Sequence, residues 1–381
     1  MWTADQHELS LLPVRGDARA LDLPSDDQLR FEALSEPEPA ETWQASFQAM
    51  WPAYRDWYLK EGDSARPDLD TCRAMLARWM PELVGTFERL VELTDSDPLA
   101  ARFLSMYRPP GFVVGCSQAA FDGVGRAGGP ILVRNYDYPA SRAEGIIIST
   151  AWTGRRVIGM SDCLWGLLDG VNDAGLAASL TFGGRPAVGD GFGIPLVMRY
   201  VLEVCEDVPQ ACRVLSRIPV HAAQNVTVLD RSGDFATVRL SPDREPEVLT
   251  VPIATNHQHR GDWPAYAAAV QTYERERRLL ELLRTSGMTR DRLIDAFLSP
   301  PLYRTRYARG ATLYTAVYDP VVGRAEYVWP QRRIVESFDR FVSASHVQSY
   351  GRPDAVDPSP ANEDAAPVGP DSAELPLTAR R

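Results

Sequence analysis

Residues 111–139 read GFVVGCSQAAFDGVGRAGGPILVRNYDYP, and the character of the chain changes within this stretch. Before it, residues 40–107 carry aromatic and aliphatic side chains at helical spacing, which predicts roughly three helices. After it, short apolar segments alternate with glycine-rich turns and predict β-strands, with helix pairs between some of them. This order predicts an α+β fold in which helices cover two antiparallel sheets.

The same pattern divides the chain into four segments. Residues 1–38 are rich in Asp, Glu and Pro with weak periodicity and are predicted to be poorly ordered. Residues 39–115 form the helical segment, and residues 116–349 form the main domain. Residues 350–381 carry Pro, Ala, Asp and Glu with almost no aromatic side chains, which predicts a disordered tail.

The composition is that of an ordinary soluble globular protein. Of 381 residues, 45% are hydrophobic and 24% are charged. The formal net charge is -11 without a long basic run, which argues against nucleic acid or an anionic membrane as partner. The N-terminus lacks the pattern of a signal peptide, and no apolar run approaches the ~18 residues of a membrane span. We therefore expect a cytoplasmic protein.

Cysteine and histidine spacing does not favour a disulfide framework or a metal site. The five cysteines are odd in number, scattered and without a C-x-x-C pair, and no H-E-x-x-H occurs. Gly123, Gly125 and Gly128 satisfy G-x-G-x-x-G, but a dinucleotide site needs that loop to open a helix. Here the loop runs into the strand-like ILVRNY, so we interpret it as a hairpin turn.

Cys116 differs from the other cysteines because it follows Gly115 where the helical segment ends. A glycine at that position lets the backbone bend for attack by the thiol on the preceding carbonyl. Cleavage would leave Cys116 with an α-amine of pKa about 7.7–8.0, which can act as a general base near neutral pH. One residue would then supply both nucleophile and base. From the residues alone, a buried strand cysteine remains the alternative.

The segment VRNYDYP at 133–139 resembles the Arg-Asn-x-Asp motif of the choloylglycine hydrolase family. That family includes bile-salt hydrolases, penicillin V acylases and the related penicillin acyl-coenzyme A acyltransferases. Its nucleophilic cysteine lies shortly before the motif, as Cys116 does here. Four further blocks follow in the family's order: DGVNDAGLAASLTFGG at 169–184, ATNH at 254–257, TYERERRLLELL at 272–283 and TLYTAVYDP at 312–320.

The resemblance covers roughly residues 112–345. It implies a four-layer αββα sandwich of the N-terminal-nucleophile (Ntn) hydrolase type, with residues 39–115 as a helical pro-segment. A pro-segment of that size, ending in Gly-Cys, resembles the pro-segments of the acyltransferase branch, which is of the peptidase family C45 type.

The resemblance also implies the site residues. Cys116 is the nucleophile, and Arg134 stabilises its thiolate because a nearby cation lowers a thiol pKa. Asp137, whose three-residue offset from Arg134 favours a paired site, accepts a hydrogen bond from the α-amine. Asn256 donates its amide to the oxyanion of the tetrahedral intermediate. Arg275 braces the site from a long helix.

Two of these assignments stay open in the sequence. The helix that carries Arg275 also carries Arg277 and Arg278, either of which is an alternative. Where bile-salt hydrolases place an asparagine in the second hairpin, this chain has Thr181, which can donate only one hydroxyl hydrogen bond. The oxyanion hole would therefore use that hydroxyl or a backbone N–H. This departure weakens bile salts and penicillin V as candidate substrates.

The expected function is that of a self-processing zymogen that cuts before Cys116 and then cleaves or forms the amide of a small acylated molecule. The acyl group passes through a thioester on Cys116, and water or an amine accepts it. No metal or organic cofactor is needed, although a coenzyme A thioester could be the acyl donor. The expected partners are the small-molecule amide or acyl-thioester substrate and the chain's own pro-segment, with homo-oligomer formation left open.

Two other functions stay in view. The chain could be a catalytically silent binding protein that keeps the fold without cleavage. It could also be a cysteine peptidase with a separate histidine base, although the chain has only five histidines. His257 is the one histidine in a recognised block, and the Ntn model predicts that its removal leaves activity mostly intact.

Overall fold

Helices form most of residues 39–115, as the periodicity predicts. The structure is a computed structural model that describes residues 28–123, 128–305 and 311–350. The helices of this part are α1 (Glu41–Tyr58), α2 (Leu69–Trp79), α3 (Val84–Leu93) and α4 (Pro98–Leu104). Asp68 and Asp97 begin α2 and α4 by accepting hydrogen bonds from backbone N–H groups of the first turn.

The helices pack through an aromatic cluster. The rings of Trp43 and Phe47 stack with centroids 5.4 Å apart, and Phe103 of α4 contacts Trp51 and Tyr54 of α1. Spacing of three and four residues placed these rings on one face of α1, so the sequence periodicity translates directly into the helix contacts.

The prediction of a poorly ordered segment at 1–38 is wrong for its last part. Residues Gln28–Ser35 form strand β1, whose alternate side chains Leu29, Phe31 and Ala33 are buried. Pairing with strands far along the chain explains this order, because the segment's own periodicity is short and surrounded by acidic residues and proline. Residues 1–27 and 351–381 lie outside the described residues. Tyr350, which we assigned to the tail, donates a hydrogen bond from its hydroxyl to the Leu313 carbonyl at 2.6 Å.

Two sheets form the centre of the molecule. The nine-stranded sheet has the order β10-β9-β8-β7-β6-β5-β4-β1-β15, and the six-stranded sheet has the order β11-β2-β3-β12-β13-β14. The first comprises β4 (Ile146–Thr150), β5 (Val157–Asp162), β6 (Gly166–Asn172), β7 (Leu176–Phe182), β8 (Gln224–Asp230), β9 (Phe235–Ser241), β10 (Arg244–Leu249) and β15 (Ala344–Ser349) besides β1. The second comprises β2 (Gly115–Phe121), β3 (Ile131–Tyr138), β11 (Ile253–Ala254), β12 (Ala311–Asp319), β13 (Arg324–Trp329) and β14 (Arg332–Ser337).

Helices cover the outer face of each sheet. Helices α5 (Ile194–Val204) and α6 (Val208–Arg217) pack on β6 and β9 of the nine-stranded sheet. Helices α8 (Thr272–Arg284) and α9 (Arg290–Phe297) pack on β2 and β3 of the six-stranded sheet. The inner faces of the sheets meet where β2 and β3 contact β7, which gives four layers, αββα. The predicted α+β sandwich is confirmed.

The long helix expected to carry Arg275 is divided into two helices. Helix α7 (Pro264–Ala269) ends before Gln271, whose left-handed backbone (φ 49) redirects the chain into α8. Strands β2 and β3 on either side of the glycine loop pair antiparallel, as the predicted hairpin requires, and residues 124–127 of the loop lie outside the described residues. Among the described residues, no helix is both long and apolar enough to span a bilayer.

Candidate active site

The paired strands β2 and β3 position the central residues. Cys116 lies opposite Tyr136, and Gly115 lies opposite Asp137. Directly opposed residues share a face of the sheet, and neighbours along a strand alternate. Cys116 therefore shares the inner face with Arg134, whereas Asp137 points to the outer face, towards α8. The expected Arg134–Asp137 pair is thus a wrong prediction, because an odd offset along a strand separates the two side chains.

Arg134 contacts the thiol and is itself held by the opposite sheet. Its Nη2 donates to Cys116 Sγ at 3.3 Å. Its Nη1 forms an ion pair with Asp169 of β6 and donates to the Tyr314 hydroxyl at 3.1 Å. The Tyr314 hydroxyl donates to Asp169 at 2.7 Å, and Tyr318 also donates to that carboxylate. A buried charge needs such partners, so Asp169 fixes the guanidinium beside the sulfur.

Burial raises the pKa of the Cys116 thiol, and the Arg134 cation lowers it by a smaller amount. Cys116 and Arg134 are both fully buried. Arg134 thus lowers the thiol pKa in the expected direction, but the net shift in the intact chain is upward. The desolvation of the thiolate outweighs one cation that is already paired with a carboxylate.

Asn256 binds the peptide group on which cleavage would act. It follows the short strand β11, and its Oδ1 accepts the backbone N–H of Cys116 at 2.8 Å. Its Nδ2 donates to the carbonyls of Val114 and Phe182, both at 3.2 Å. At the end of β7, Gly184 (φ +70) leaves room for this approach, since a Cβ there would lie 2.3 Å from the Asn256 carbonyl oxygen.

Arg275 is the arginine of α8 that enters the site. Its Nη1 donates to the Cys116 carbonyl and, at 2.8 Å, to Ser117 Oγ, while Nη2 donates to Asn256 Oδ1 at 2.8 Å. Arg275 is fully buried, whereas the side chains of Arg277 and Arg278 are 72% and 45% exposed. The choice that the sequence left open therefore falls on Arg275.

Asp137 presents one carboxylate oxygen beside the Gly115–Cys116 peptide. Its Oδ1 accepts from Thr312 Oγ1 at 2.7 Å. No described residue donates a hydrogen bond to its buried Oδ2, and Arg275 Nη1 lies 3.9 Å away. A buried acceptor without a donor can take a hydrogen bond from an amine formed at Cys116.

Glycine at 115 is required for space. A Cβ there would lie 3.0 Å from Asp137 Cβ and 3.3 Å from Oδ2. The φ of Gly115 lies outside the left-handed range, so the expectation that glycine serves to bend the backbone is not what the structure shows. The close approach of β3 to β2 explains the residue instead.

Two other expected residues have their polar atoms engaged elsewhere. Thr181 donates its hydroxyl to the Thr255 carbonyl at 3.1 Å, so a role for that hydroxyl at the oxyanion requires this bond to break. The ring nitrogens of His257 lie 3.0 Å from Thr272 Oγ1 and 3.1 Å from Glu276 Oε1. Neither nitrogen is bonded to Cys116, which disfavours a histidine base.

A cavity of about 290 Å³ lies beside residues 111–113. Both the N-terminal segment and the main domain line it, with Glu61, Ala65, Arg66, Arg108, Gly111, Phe112, Val113, Phe182, Arg185, Pro186, Ala187, Val188, His221, Ala222 and Trp263. Burial lowers the pKa of His221 to about 4, so this imidazole is neutral at physiological pH. No group of three or more His, Cys, Asp or Glu within the described ranges is placed to hold a metal ion.

Sequence reasoning missed two residues of the site, Asp169 and Tyr314. Asp169 lies in a block that we recognised, but its ion pair with Arg134 joins two sheets and has no local signal. Tyr314 likewise lies in the closing strand block. Tyr266 of α7 belongs to the aromatic stretch Trp263–Tyr266, which the sequence predicts as lining of an acyl pocket, and it donates its hydroxyl to the Val114 carbonyl at 2.7 Å.

Comparison with solved structures finds distant likenesses. A mutant conjugated bile acid hydrolase from Clostridium perfringens is 12% identical with a TM-score of 0.41, covering 62% of this chain and 97% of that chain. Penicillin V acylase from Agrobacterium tumefaciens is 16% identical with a TM-score of 0.37, and the match covers 59% of this chain and 87% of that chain. The Caenorhabditis elegans ortholog of N-acylethanolamine-hydrolyzing acid amidase is 17% identical with a TM-score of 0.42, and the match covers 61% of this chain and 99% of that chain.

No curated protein sequence matches the chain. A family model does match, over residues 124–333, which is more than half of the chain and includes Arg134, Asp137, Asn256 and Arg275. The resemblance inferred from the sequence blocks is thereby confirmed, and the chain belongs to the acyl-coenzyme A:6-aminopenicillanic acid acyl-transferase family.

Proposed function

We propose that the chain cleaves itself between Gly115 and Cys116 and then acts through a thioester on Cys116. Family membership makes it an Ntn-type amidohydrolase or acyltransferase of acylated small molecules. Self-cleavage and the thioester are supported by the hydrogen bonds that hold Cys116. Asn256 accepts its N–H, Arg275 donates to its carbonyl and Arg134 donates to its sulfur.

Maturation uses the thiol before an amine exists. The sulfur attacks the Gly115 carbonyl carbon, an S–C bond forms, the C–N bond to Cys116 breaks and the thiol proton ends on the Cys116 nitrogen. Water then adds to the thioester, which releases a Gly115 carboxylate and restores the thiol. Asp137 Oδ2, which has no donor among the described residues, accepts a hydrogen bond from the new amine.

Turnover repeats this chemistry on a substrate. The α-amine takes the thiol proton, the sulfur bonds to the acyl carbon and the proton passes to the leaving amine or thiol. Water as second acceptor gives hydrolysis, and an amine gives acyl transfer. Arg134 stabilises the thiolate, and one N–H of the Asn256 amide stabilises the oxyanion.

All catalytic groups in this scheme, the Cys116 α-amine included, belong to the chain itself, so we propose that no metal or organic cofactor takes part. An acyl-coenzyme A thioester is a suitable donor because its thiol is a good leaving group. We also propose that the cavity beside residues 111–113 receives the acyl substrate and that the protein acts in the cytoplasm.

The mass of the purified protein tests the proposal. Two fragments are expected, and N-terminal sequencing of the larger should give Cys-Ser-Gln-Ala-Ala. The matched control is Cys116→Ala, which should remain one chain. An intact single chain that hydrolyses acyl-amides would contradict self-processing, and a chain that neither matures nor turns over substrate would favour the silent binding protein.

A further inference from the structure

The residues before Cys116 lie in the site as a bound acyl group would. The Val114 carbonyl accepts two hydrogen bonds, from the Tyr266 hydroxyl at 2.7 Å and from Asn256 Nδ2 at 3.2 Å. Val114 is 1% exposed, and Phe112 and Val113 line the cavity. This segment is therefore bound by specific contacts along its length.

The proposed maturation makes this segment an acyl donor to the same sulfur that later takes substrate. The thioester formed in maturation carries Gly115 as its acyl residue and Val114 behind it. The Val114 carbonyl carbon then lies three bonds from the attacked carbon, through the Gly115 Cα and nitrogen. Substrates attacked by the same sulfur from the same side must place their acyl chains along this path.

Two features of this path determine which acyl groups it can accept. The first is the Tyr266 hydroxyl, which donates to an oxygen on the third atom beyond the attacked carbonyl. Its ring stacks on Trp263 (5.1 Å, 25°) and meets Phe182 edge-on (5.4 Å, 89°), so the hydroxyl is held in place by packing. Both of these neighbours line the cavity as well.

The second feature is the lack of space at the first acyl carbon. A Cβ on Gly115 would lie 3.0 Å from Asp137 Cβ, so the position next to the attacked carbonyl accepts a methylene and opposes a branch. The crowding at this carbon and the hydrogen bond from Tyr266 are independent observations. Both favour a substrate that has a glycyl unit next to the attacked carbonyl.

We propose that the matured enzyme prefers N-acylglycyl substrates, R–CO–NH–CH2–CO–X, with Tyr266 as the residue that recognises the inner carbonyl. The apolar group R begins at the place of the Val114 Cα and extends towards that of Val113 and Phe112 in the cavity, and X is the amine or thiol that leaves. The inference rests on the proposed self-processing and on the thioester mechanism.

The test compares four p-nitroanilides on matured enzyme, two of which are the L and D forms of the alanine compound. N-Butanoylglycine and heptanoic acid give acyl chains of equal length that differ in the inner amide, and N-butanoylalanine adds one branch. We expect kcat/KM to be highest for the glycine compound, about tenfold above the heptanoyl compound from one lost hydrogen bond to a buried donor. The alanine compounds of both hands should be turned over more slowly than the glycine compound.

Tyr266→Phe removes the hydroxyl and keeps the ring. It should reduce the glycyl-to-heptanoyl ratio of kcat/KM towards one. Tyr273→Phe is the matched control, because the Tyr273 hydroxyl accepts from the Gly261 N–H at 3.1 Å and lies outside the proposed subsite. The control should keep the wild-type ratio. Equal rates for the two unbranched anilides, or an unchanged ratio in Tyr266→Phe, would overturn the subsite.

A binding measurement separates this inference from the proposed function. By calorimetry, matured enzyme should bind N-butanoylglycinamide more tightly than heptanamide even if turnover is slow. Unprocessed Cys116→Ala, whose subsite still holds Val114, should bind neither. A matured chain with equal affinities overturns the subsite alone. A wild-type chain that stays intact, as its mass would show, overturns the proposed function and the subsite together.

Discussion

Gly115 and Asp137 face each other across β2 and β3, and a methyl group on Gly115 would crowd the Asp137 side chain. In Gly115→Ala the new Cβ would lie 3.0 Å from Asp137 Cβ, which is backbone-supported and cannot move far. We expect maturation to slow markedly, because the strands must separate and the scissile peptide shifts from the thiol. A time course of the cleaved fraction on a gel measures this. Gly111→Ala, where the nearest atom is 3.5 Å away, is the control and should mature like wild type.

Cys116→Ala should abolish both maturation and turnover, since each needs the sulfur. Cys116→Ser should retain some self-cleavage, because a hydroxyl can form an ester, while its turnover falls much further. The cleaved fraction and the rate on a chromogenic acyl-amide are measured side by side. Normal maturation and turnover in Cys116→Ala would remove Cys116 as nucleophile.

Maturation should accelerate with pH. Burial raises the pKa of the Cys116 thiol in the intact chain, so the thiolate fraction is small near neutral pH. Below that pKa the fraction, and with it the rate, should rise by up to about tenfold per pH unit. The same shift affects the free energy of unfolding. Its contribution is fully present below the thiol pKa of the unfolded chain and is lost as the pH rises through the thiol pKa of the folded chain. The Cys116→Ser profile should be flatter; a flat wild-type profile would contradict a buried, titrating thiol.

Asn256→Ala should lower turnover by roughly 100-fold or more if the amide donates to the oxyanion. Maturation should slow as well, because the Cys116 N–H and Arg275 lose their common acceptor. Asn256→Asp separates the two effects, since it keeps an acceptor and removes the Nδ2 donor. Turnover in Asn256→Asp equal to that of wild type would show that the oxyanion has other donors.

The two fragments should stay together after cleavage, because β1 lies between β4 and β15 in the nine-stranded sheet. Native chromatography should give one peak containing both.

Phe31→Ala should lower the free energy of unfolding by about 3–5 kcal/mol, since a fully buried ring that packs 4.9 Å from Trp329 is lost. Val347→Ala on neighbouring β15, where the side chain is partly exposed, is the control and should have a small effect. Separation of the fragments under native conditions would contradict this role of β1.

The sequence predicts the strands of the site and the order of its blocks well, because period and turn residues are local. It also contained a signal that we misinterpreted: alternation along β3 already places Arg134 and Asp137 on opposite faces. Asp169, by contrast, meets Arg134 only through the packing of one sheet on the other. The strand β1 was missed for the same reason, since its partners are β4 and β15. The Cys116 pKa depends on how completely the fold excludes water, which no motif records.

Strand β15 has a consequence for how the protein can be made. Within the described part of the chain, β15 joins the nine-stranded sheet through β1 alone, so the last strand of the large fragment rests on the small one. Folding before cleavage is a unimolecular event, whereas refolding of the denatured, matured protein requires two molecules to meet. Recovery after denaturation should therefore depend on protein concentration, unlike that of the uncleaved Cys116→Ala chain. Self-cleavage thus converts a chain that can refold alone into an assembly that is formed correctly once, at synthesis.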